Sequence, residues 1–477
     1  MAVVRVDLLS GDEIEAVHEK TLQILEDPGV AVHSPAALRV LEFGGARVDT
    51  KSMRARIPES LVKETLQRLP KTIRLGARNP KQGMVAPRIG PPYMATNGTA
   101  VYMTELGSEA KRTTTAKDLR DFMILCDAMD ALDYVWPIVA AHDAPAETHA
   151  LVELVTSLLH TTKHVQGEAL SAQEARAEIE VGAAIAGGMD ELARDPVFSV
   201  VQCPICPLQF ERGSVEATME FARAGVPVVS MSMALTGMTS PVTLASTIAI
   251  VNAENLASFA ISQMTKKGAP VVYSSDSTSP NMMTGEIHYG AVEELLLGSA
   301  VAQMARRYGA VSMVGGFGVG LSGESPGIHL DPSELLFTAM TTAAQTDFGS
   351  GIGGLDGAKG ASLEQVIIDC DLWEAAREAR KVVSFEEPRF ALDLIRSVGP
   401  GGTFVGQPHT LKNMRTELFL PSPEKARILA GYRLNRDRRE IVKRAEERVK
   451  EILASHVPQP VDPAVKAEVD RILERHL

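Results

Sequence analysis

Cysteine, excess basic charge and long apolar runs are all scarce in this 477-residue sequence. Four cysteines are too few for a disulfide framework. A formal net charge of −12 argues against nucleic acid or a membrane surface as the main partner, since both attract basic proteins. No run of about eighteen apolar residues is free of charged or strongly polar side chains, so no membrane span is predicted. Acidic residues near the N-terminus interrupt any signal-peptide core, which predicts a cytoplasmic protein.

What remains is the composition of a globular protein, with 45% hydrophobic and 23% charged residues. Residues 1–120 are predicted to form an α-rich cap with short strands, because segments of helical periodicity precede short runs separated by turn residues. Residues 411–477 are highly charged and helical in pattern, which predicts a C-terminal helical extension.

Between these two segments, residues 121–410 repeat one unit: a short apolar run, a polar loop and an amphipathic helix with capping residues at its start. The predicted strands are Tyr134–Ala140, His164–Glu168, Phe198–Cys203, Val226–Ser232, Val271–Ser275, Val311–Gly315, Phe348–Gly353 and Thr403–Gly406. Eight strands alternating with helices favour an α/β fold of the TIM (β/α)8 barrel type. An open doubly wound sheet is the structural alternative.

Glycines are concentrated after the sixth predicted strand, where Gly318–Gly323 matches the letters of a dinucleotide-binding fingerprint. That fingerprint requires a helix that begins at its last glycine and receives the pyrophosphate. Here an acidic loop follows, and the first predicted helix begins only at Asp331. We therefore expect no nucleotide at this loop.

Cys203 and Cys206 have the CxxC spacing of some zinc and redox sites, at the end of the third predicted strand. No second CxxC or HxxxH lies nearby, although four distant histidines could complete a site through space: His142, His288, His329 and His409. The favoured interpretation is a pair of buried cysteines at a strand end, with no metal. Bound zinc remains the alternative.

Acidic residues recur just after the predicted strands, where barrel enzymes place their active sites. Those that we take as candidate site residues are Glu168, Asp276, Glu324 and Asp356. The aromatic residues Tyr273 and Phe317 are expected at the same level. Carboxylates beside aromatic faces favour an onium cation, and lysine and arginine are scarce in these loops, Lys359 being the main exception.

Several segments resemble the trimethylamine methyltransferase family of corrinoid-dependent enzymes. They are Ile57–Val62, Leu235–Ala245, Asn252–Ala257, Gly268–Tyr273, Ala302–Gly309, Gly353–Gly357 with Ser362–Glu364, and Pro408–Lys412. The resemblance covers nearly the whole chain. It implies a TIM-barrel enzyme that moves a methyl group from a methylated amine to the Co(I) centre of a corrinoid (cobalamin) carried by a separate protein. Because every residue is a standard one, the chain resembles the branch without pyrrolysine, which demethylates quaternary amines such as glycine betaine.

On this interpretation, Glu168, Tyr273, Asp276 and Phe317 form the cation pocket, and Glu324 and His329 contact the other end of the substrate. A quaternary ammonium already has a neutral leaving group, so positioning and desolvation replace acid–base catalysis, and no catalytic acid or base is predicted. The resemblance breaks at residues 320–331, where the family usually carries a TDSK-like motif.

Two alternatives keep the fold. One is a barrel enzyme with another methyl donor or a zinc–thiolate mechanism through Cys203 and Cys206, and the other is a non-catalytic binder of betaine-like molecules. A homo-oligomer is expected in each case.

Overall fold

Short β-branched runs and capped helices alternate along the chain, as the sequence predicts. A computed structural model describes residues 4–287, 289–330, 332–420 and 438–477. Asp331, predicted to begin a helix, and residues 421–437 of the predicted extension lie outside this range. The helices, in chain order, are Gly11–Glu26 (α1), Pro35–Phe43 (α2), Glu59–Arg68 (α3), Ala116–Asp127 (α4), His149–His160 (α5), Ala172–Ala186 (α6), Met189–Arg194 (α7), Arg212–Ala224 (α8), Leu244–Thr265 (α9), Val292–Tyr308 (α10), Pro332–Thr341 (α11), Leu363–Glu378 (α12), Leu392–Val398 (α13), Pro408–Glu417 (α14), Arg438–Ser455 (α15) and Pro463–His476 (α16).

The strands are shorter than the helices and fall into four sheets among the described residues. In chain order they are Val30–Val32 (β1), Arg47–Asp49 (β2), Arg54–Arg56 (β3), Ile73–Leu75 (β4), Met84–Ala86 (β5), Tyr93–Thr96 (β6), Tyr102–Thr104 (β7), Lys111–Thr113 (β8), Tyr134–Val135 (β9), His164–Gly167 (β10), Phe198–Gln202 (β11), Gln209–Phe210 (β12), Val228–Ser232 (β13), Val271–Ser275 (β14), Val311–Gly316 (β15), Phe348–Ile352 (β16), Gly354–Leu355 (β17) and Gly360–Ala361 (β18).

Eight parallel strands form the central sheet, in the order β6-β16-β15-β14-β13-β11-β10-β9. Its two edge strands meet: the Asp133 amide donates to the Met94 carbonyl at 2.9 Å, and the Met94 amide donates to the Asp133 carboxylate at 2.9 Å. A parallel bridge between Ala100 and Val139 continues this contact. The sheet therefore closes into the predicted (β/α)8 barrel, with helices outside.

One predicted strand is wrong. Residues 403–406 end in a turn and expose Phe404 and Val405, and the eighth barrel strand is β6 instead. A short apolar run in an exposed segment has no partner to complete a ladder, whereas β6 pairs with β16 over Tyr93–Thr96. Because β6 lies within residues 1–120, the barrel takes one strand from the segment predicted as the cap, and the domain division at 120 stays a prediction.

The barrel lumen is filled by apolar side chains, among them Val201, Val229, Val272 and Val311. The hairpin β4–β5 packs Ile73, Leu75, Met84 and Ala86 into the same cluster. Its backbone joins the segment that precedes β11, through the Gly76 amide and the Pro196 carbonyl at 2.7 Å. The hairpin thus closes the amino-terminal end of the barrel and leaves the carboxyl ends of the strands for ligands.

Helices from both ends of the chain cover the outside of the barrel. Helices α1, α2 and α3 pack on α9, and α15 packs on α12 while α16 packs on α6. Helix α9 is the one described helix whose length and hydropathy would allow it to cross a membrane, but 83% of its 18-residue window is buried inside the protein. Its apolar character is that of a core helix.

Candidate active site at the carboxyl ends of the barrel strands

Four side chains form a row across neighbouring strands at the open end of the barrel. Side chains alternate between the two faces of a strand, and Val201 of β11 and Met231 of β13 point into the lumen. Two residues further on, Cys203 and Met233 face the same way, with their sulfur atoms 3.9 Å apart. The same alternation places Glu168 after β10 and Asp276 after β14. We call Glu168, Cys203, Met233 and Asp276 the mouth row.

The two carboxylates of the mouth row lie in surroundings that disfavour their charged forms. Glu168 is half-buried and has no hydrogen bond to any described residue. Burial, and then the neighbouring Glu153 carboxylate, raise its pKa to about 7. Burial also raises the pKa of Asp276, which accepts one hydrogen bond from the Tyr289 hydroxyl at 3.2 Å. A bound cation would stabilise both carboxylates in their charged forms.

The thiol of Cys203 is affected by the same carboxylates. Its side chain is solvent-exposed, yet desolvation by the surrounding protein, and then the charges of Glu168 and Asp276, raise its pKa to about 12. A thiolate is therefore disfavoured, which weighs against thiolate chemistry at this position.

Behind Glu168 lies a second layer of acids on α5 and α6. Glu178 is fully buried, and neither of its carboxyl oxygens has a hydrogen-bond partner within the described part of the chain. Burial raises its pKa well above the usual range, and Glu174 and Glu168 raise it further. Glu153 accepts a hydrogen bond from the Ala141 amide at 2.8 Å. These acids oppose ionisation of Glu168 unless a cation is bound.

Trp136 is an aromatic side chain on the loop after β9, the strand that neighbours β10. It lies two residues beyond Tyr134 of β9 and packs against the lumen cluster. The Thr96 hydroxyl holds its backbone by donating to the Trp136 carbonyl at 2.7 Å, and a side chain at Gly98 would collide with the indole ring. The indole N–H is buried and has no hydrogen-bond partner among the described residues. Trp136 was not among the predicted site residues.

Two predicted pocket residues lie elsewhere. Tyr273 points outward from β14: its hydroxyl donates to Asn252 at 2.7 Å, and its ring centroid lies 6.1 Å from that of Phe259. Phe317 is 2% exposed and packs on Trp373 at 5.5 Å between centroids. Both rings belong to the core between barrel and helices, so neither lies in the mouth row.

The remaining predicted residues gather on the opposite side of the mouth. Glu324 pairs with Lys111 at 2.6 Å, and Asp356 pairs with Lys359 at 3.0 Å while accepting from the Tyr102 hydroxyl at 2.8 Å. The ring of His329 packs against Gly323, and its Nε2 lies 2.5 Å from the Ser325 carbonyl. Their backbones are joined by the Asp356 amide, which donates to the Gly323 carbonyl at 2.7 Å.

The second cysteine has a separate environment. The Cys206 thiol donates to Glu254 at 2.9 Å, and the Ser232 hydroxyl donates to the same oxygen at 2.5 Å. Burial and then Glu254 raise the pKa of this thiol. Within residues 4–287, 289–330, 332–420 and 438–477, no three His, Cys, Asp or Glu side chains are grouped as metal ligands. The metal-free site stays a prediction.

A closed barrel whose functional groups meet at the carboxyl ends of its strands defines an enzyme of the TIM-barrel class. The family described as trimethylamine methyltransferase (MTTB) matches residues 2–476, and the chain belongs to this family. The trimethylamine methyltransferase MttB of Desulfitobacterium hafniense is 32% identical and covers 98% of this chain and 93% of the relative. A glycine betaine methyltransferase of the same species is 30% identical, over 98% and 96% of the two chains.

A third relative, the trimethylamine methyltransferase MttB of Methanosarcina barkeri, is 29% identical over 99% of this chain and 95% of its own. The resemblance noted in the sequence is thus confirmed over the whole chain. The protein is a methyltransferase of the family that acts on methylated amines.

Proposed function

We propose that this enzyme moves a methyl group from a quaternary amine, the class that includes glycine betaine, to the Co(I) centre of a corrinoid carried by a separate protein. The observation that carries the proposal is the mouth row. Its two carboxylates, Glu168 and Asp276, form no ion pair with a lysine or arginine in the described part of the chain, and Trp136 and Tyr289 lie on loops at the same end of the barrel. The histidine that faces Glu168, His149, is paired with Glu153 at 3.3 Å. Carboxylates and aromatic faces together bind onium cations.

Methyl transfer breaks one C–N bond, and the departing nitrogen keeps the electron pair and leaves as a neutral tertiary amine. The corrinoid, when its carrier is bound, supplies the nucleophile that accepts the methyl group. The chain's own residues then bind and orient the ammonium group and exclude water from it. Because the leaving group is already neutral, this step needs no residue to move a proton.

A rim of exposed apolar side chains around the mouth supports a protein partner. They lie on the loops after β10, β11, β13 and β14: Leu170, Ile205, Met238, Val242, Met282 and Met283. Met283 is 96% exposed and Val242 is 71% exposed. Contiguous exposed apolar surface marks interaction sites, and flexible methionines adapt to a partner. This rim would surround a corrinoid presented to the mouth row.

Incubation with cob(I)alamin and a panel of methylated amines tests the proposal. We expect methylcobalamin to form with at least one quaternary amine, measured by absorbance. The variant Asp276→Asn should lose most of this activity, whereas Glu324→Gln, with a carboxylate already paired to Lys111, should retain it. Failure of every quaternary and tertiary amine to donate a methyl group would overturn the proposal, and tight binding without turnover would favour a non-catalytic binder.

The homo-oligomer and the cytoplasmic location also remain proposals. Residues 383–420 expose many large apolar side chains, including Phe385, Phe390, Ile395 and Phe419. Such surface is typical of a subunit interface. Light scattering on a variant with Phe390→Ser and Ile395→Ser should show smaller particles than the unmodified protein, and an unchanged mass would exclude this surface.

A further inference from the structure

We propose that the mouth row selects methylated onium cations that carry no carboxylate, and that it discriminates against zwitterions such as betaines. This inference rests on the proposed function, which it narrows. Two observations support it: the positions of lysine and arginine around the mouth, and the carboxylates that surround the row.

Basic residues are missing from the loops that surround the row. The sequence has no lysine or arginine in residues 137–162, 224–265, 268–305 or 308–358. These ranges contain the loops after β9, β13, β14 and β15. The carboxylate of a zwitterionic substrate would find no lysine or arginine there, and His149, the histidine that faces Glu168, is already paired with Glu153 at 3.3 Å.

The nearest basic residues on the other loops are already paired. Lys111 binds Glu324 at 2.6 Å, Lys359 binds Asp356 at 3.0 Å, and Arg212, at the start of α8, binds Glu216 at 3.2 Å. Recruiting any of them to a substrate carboxylate would leave an acid of the protein without its partner.

The row itself is surrounded by acids. The carboxylates of Glu168, Asp276 and Glu254 all raise the pKa of Cys203. Burial, and then the nearby Asp276 carboxylate, raise the pKa of Glu294 to about 7. A substrate carboxylate would be repelled by the same groups that attract the ammonium. Trp136 and Tyr289 carry no net charge and the trimethylammonium group is the same in both kinds of ligand, so the discrimination comes from charge.

Calorimetry on the full-length protein, without corrinoid, tests the inference with three ligands that share a trimethylammonium group. They are choline, glycine betaine and the amide of glycine betaine, in which an uncharged amide group replaces the carboxylate. We expect choline and the amide to bind at least about tenfold more tightly than glycine betaine, because only the latter brings a negative charge to the row. Equal or tighter binding of glycine betaine would overturn the inference and leave the proposed function standing. Binding of none of the three would overturn both.

A charge introduced into the row provides the matched variant. Met233, at 38% exposure, can accept a longer polar side chain at the mouth. Met233→Lys should reduce the preference for choline over glycine betaine by at least about tenfold, whereas Met189→Lys on α7, at the other end of the barrel, should leave it unchanged. An unaltered preference in Met233→Lys would show that the row does not set the charge selectivity.

Discussion

The two sides of the barrel mouth use the same residue types in opposite ways. On the side of β10 to β14, Glu168 has no hydrogen-bonding partner among the described residues, and Asp276 is bound only by a tyrosine hydroxyl. On the side of β15, β16 and β7, Glu324 and Asp356 are each neutralised by a lysine. An acidic residue after a barrel strand is thus a candidate for binding a cationic substrate only where no lysine or arginine of the protein already pairs with it.

Reversing a charge on the unpaired side of the mouth should have the largest effect. Asp276→Lys should reduce onium affinity by about 100-fold, because attraction is replaced by repulsion a few ångströms from the ligand. Glu324→Lys, the same change on the paired side, should reduce it by no more than about twofold, since Glu324 is exposed to solvent and its charge is screened there. Calorimetric titration with choline measures both, and similar losses in the two variants would contradict the distinction.

Removing the aromatic face should have the next largest effect. Trp136→Leu keeps an apolar side chain but loses the ring, and a cation–π contact of about 0.5–2 kcal/mol corresponds to roughly two- to thirtyfold in affinity. Phe317→Leu is the control, because that ring packs on Trp373 in the core and should affect the midpoint of thermal unfolding instead. An onium affinity unchanged in Trp136→Leu would remove Trp136 from the site.

A smaller effect is expected from pH. Glu168 has its pKa raised to about 7, so it is neutral below that pH and charged above it, and cation affinity should rise several-fold from about pH 6 to about pH 8. The titratable groups that face it are Glu153 and His149 on α5, Glu174 and Glu178 on α6, and Cys203 after β11. In Glu168→Gln the rise should be flattened, and a rise that persists there would assign the titration to Asp276 or to the acids behind it.

The smallest effect should follow from dissolving an ion pair on the paired side. Lys111→Met removes the partner of Glu324, and because Glu324 is exposed, the free energy of unfolding should change by less than about 1 kcal/mol. Turnover should stay close to that of the unmodified enzyme. A large loss of turnover in Lys111→Met would show that the paired side also contacts the substrate.

Most of the barrel could be predicted because short apolar runs alternate with helices that begin at capping residues. Seven of the eight predicted strands overlap observed ones, from β9 to β16. The strand β6 was missed because its four residues, YMAT, carry no alternating pattern and follow a Pro/Gly-rich turn. Whether so short a run pairs is decided by β16, which lies about 250 residues further along the chain.

The errors at the site have a simpler origin. Tyr273 and Asp276 are three residues apart on one strand and its extension, so alternation alone sends them to opposite faces. The same rule, applied to β9, places Trp136 two residues after the inward-facing Tyr134 and on the same face. Phe317 was harder to predict, because the ladder shifts register between Met313 and Gly316 and Gly315 adopts a φ of +69°. That irregularity turns Phe317 outward.

The hairpin β4–β5, which closes the amino-terminal end of the barrel, also affects the order in which substrates can bind. With that end filled by Ile73, Leu75, Met84 and Ala86, the described residues leave the mouth as the entrance. On the proposed function, the small amine must enter before the acceptor protein docks, and the demethylated product must wait until that protein departs. Initial-rate measurements should therefore show an obligatory order of addition, and excess acceptor protein should inhibit by trapping the empty enzyme.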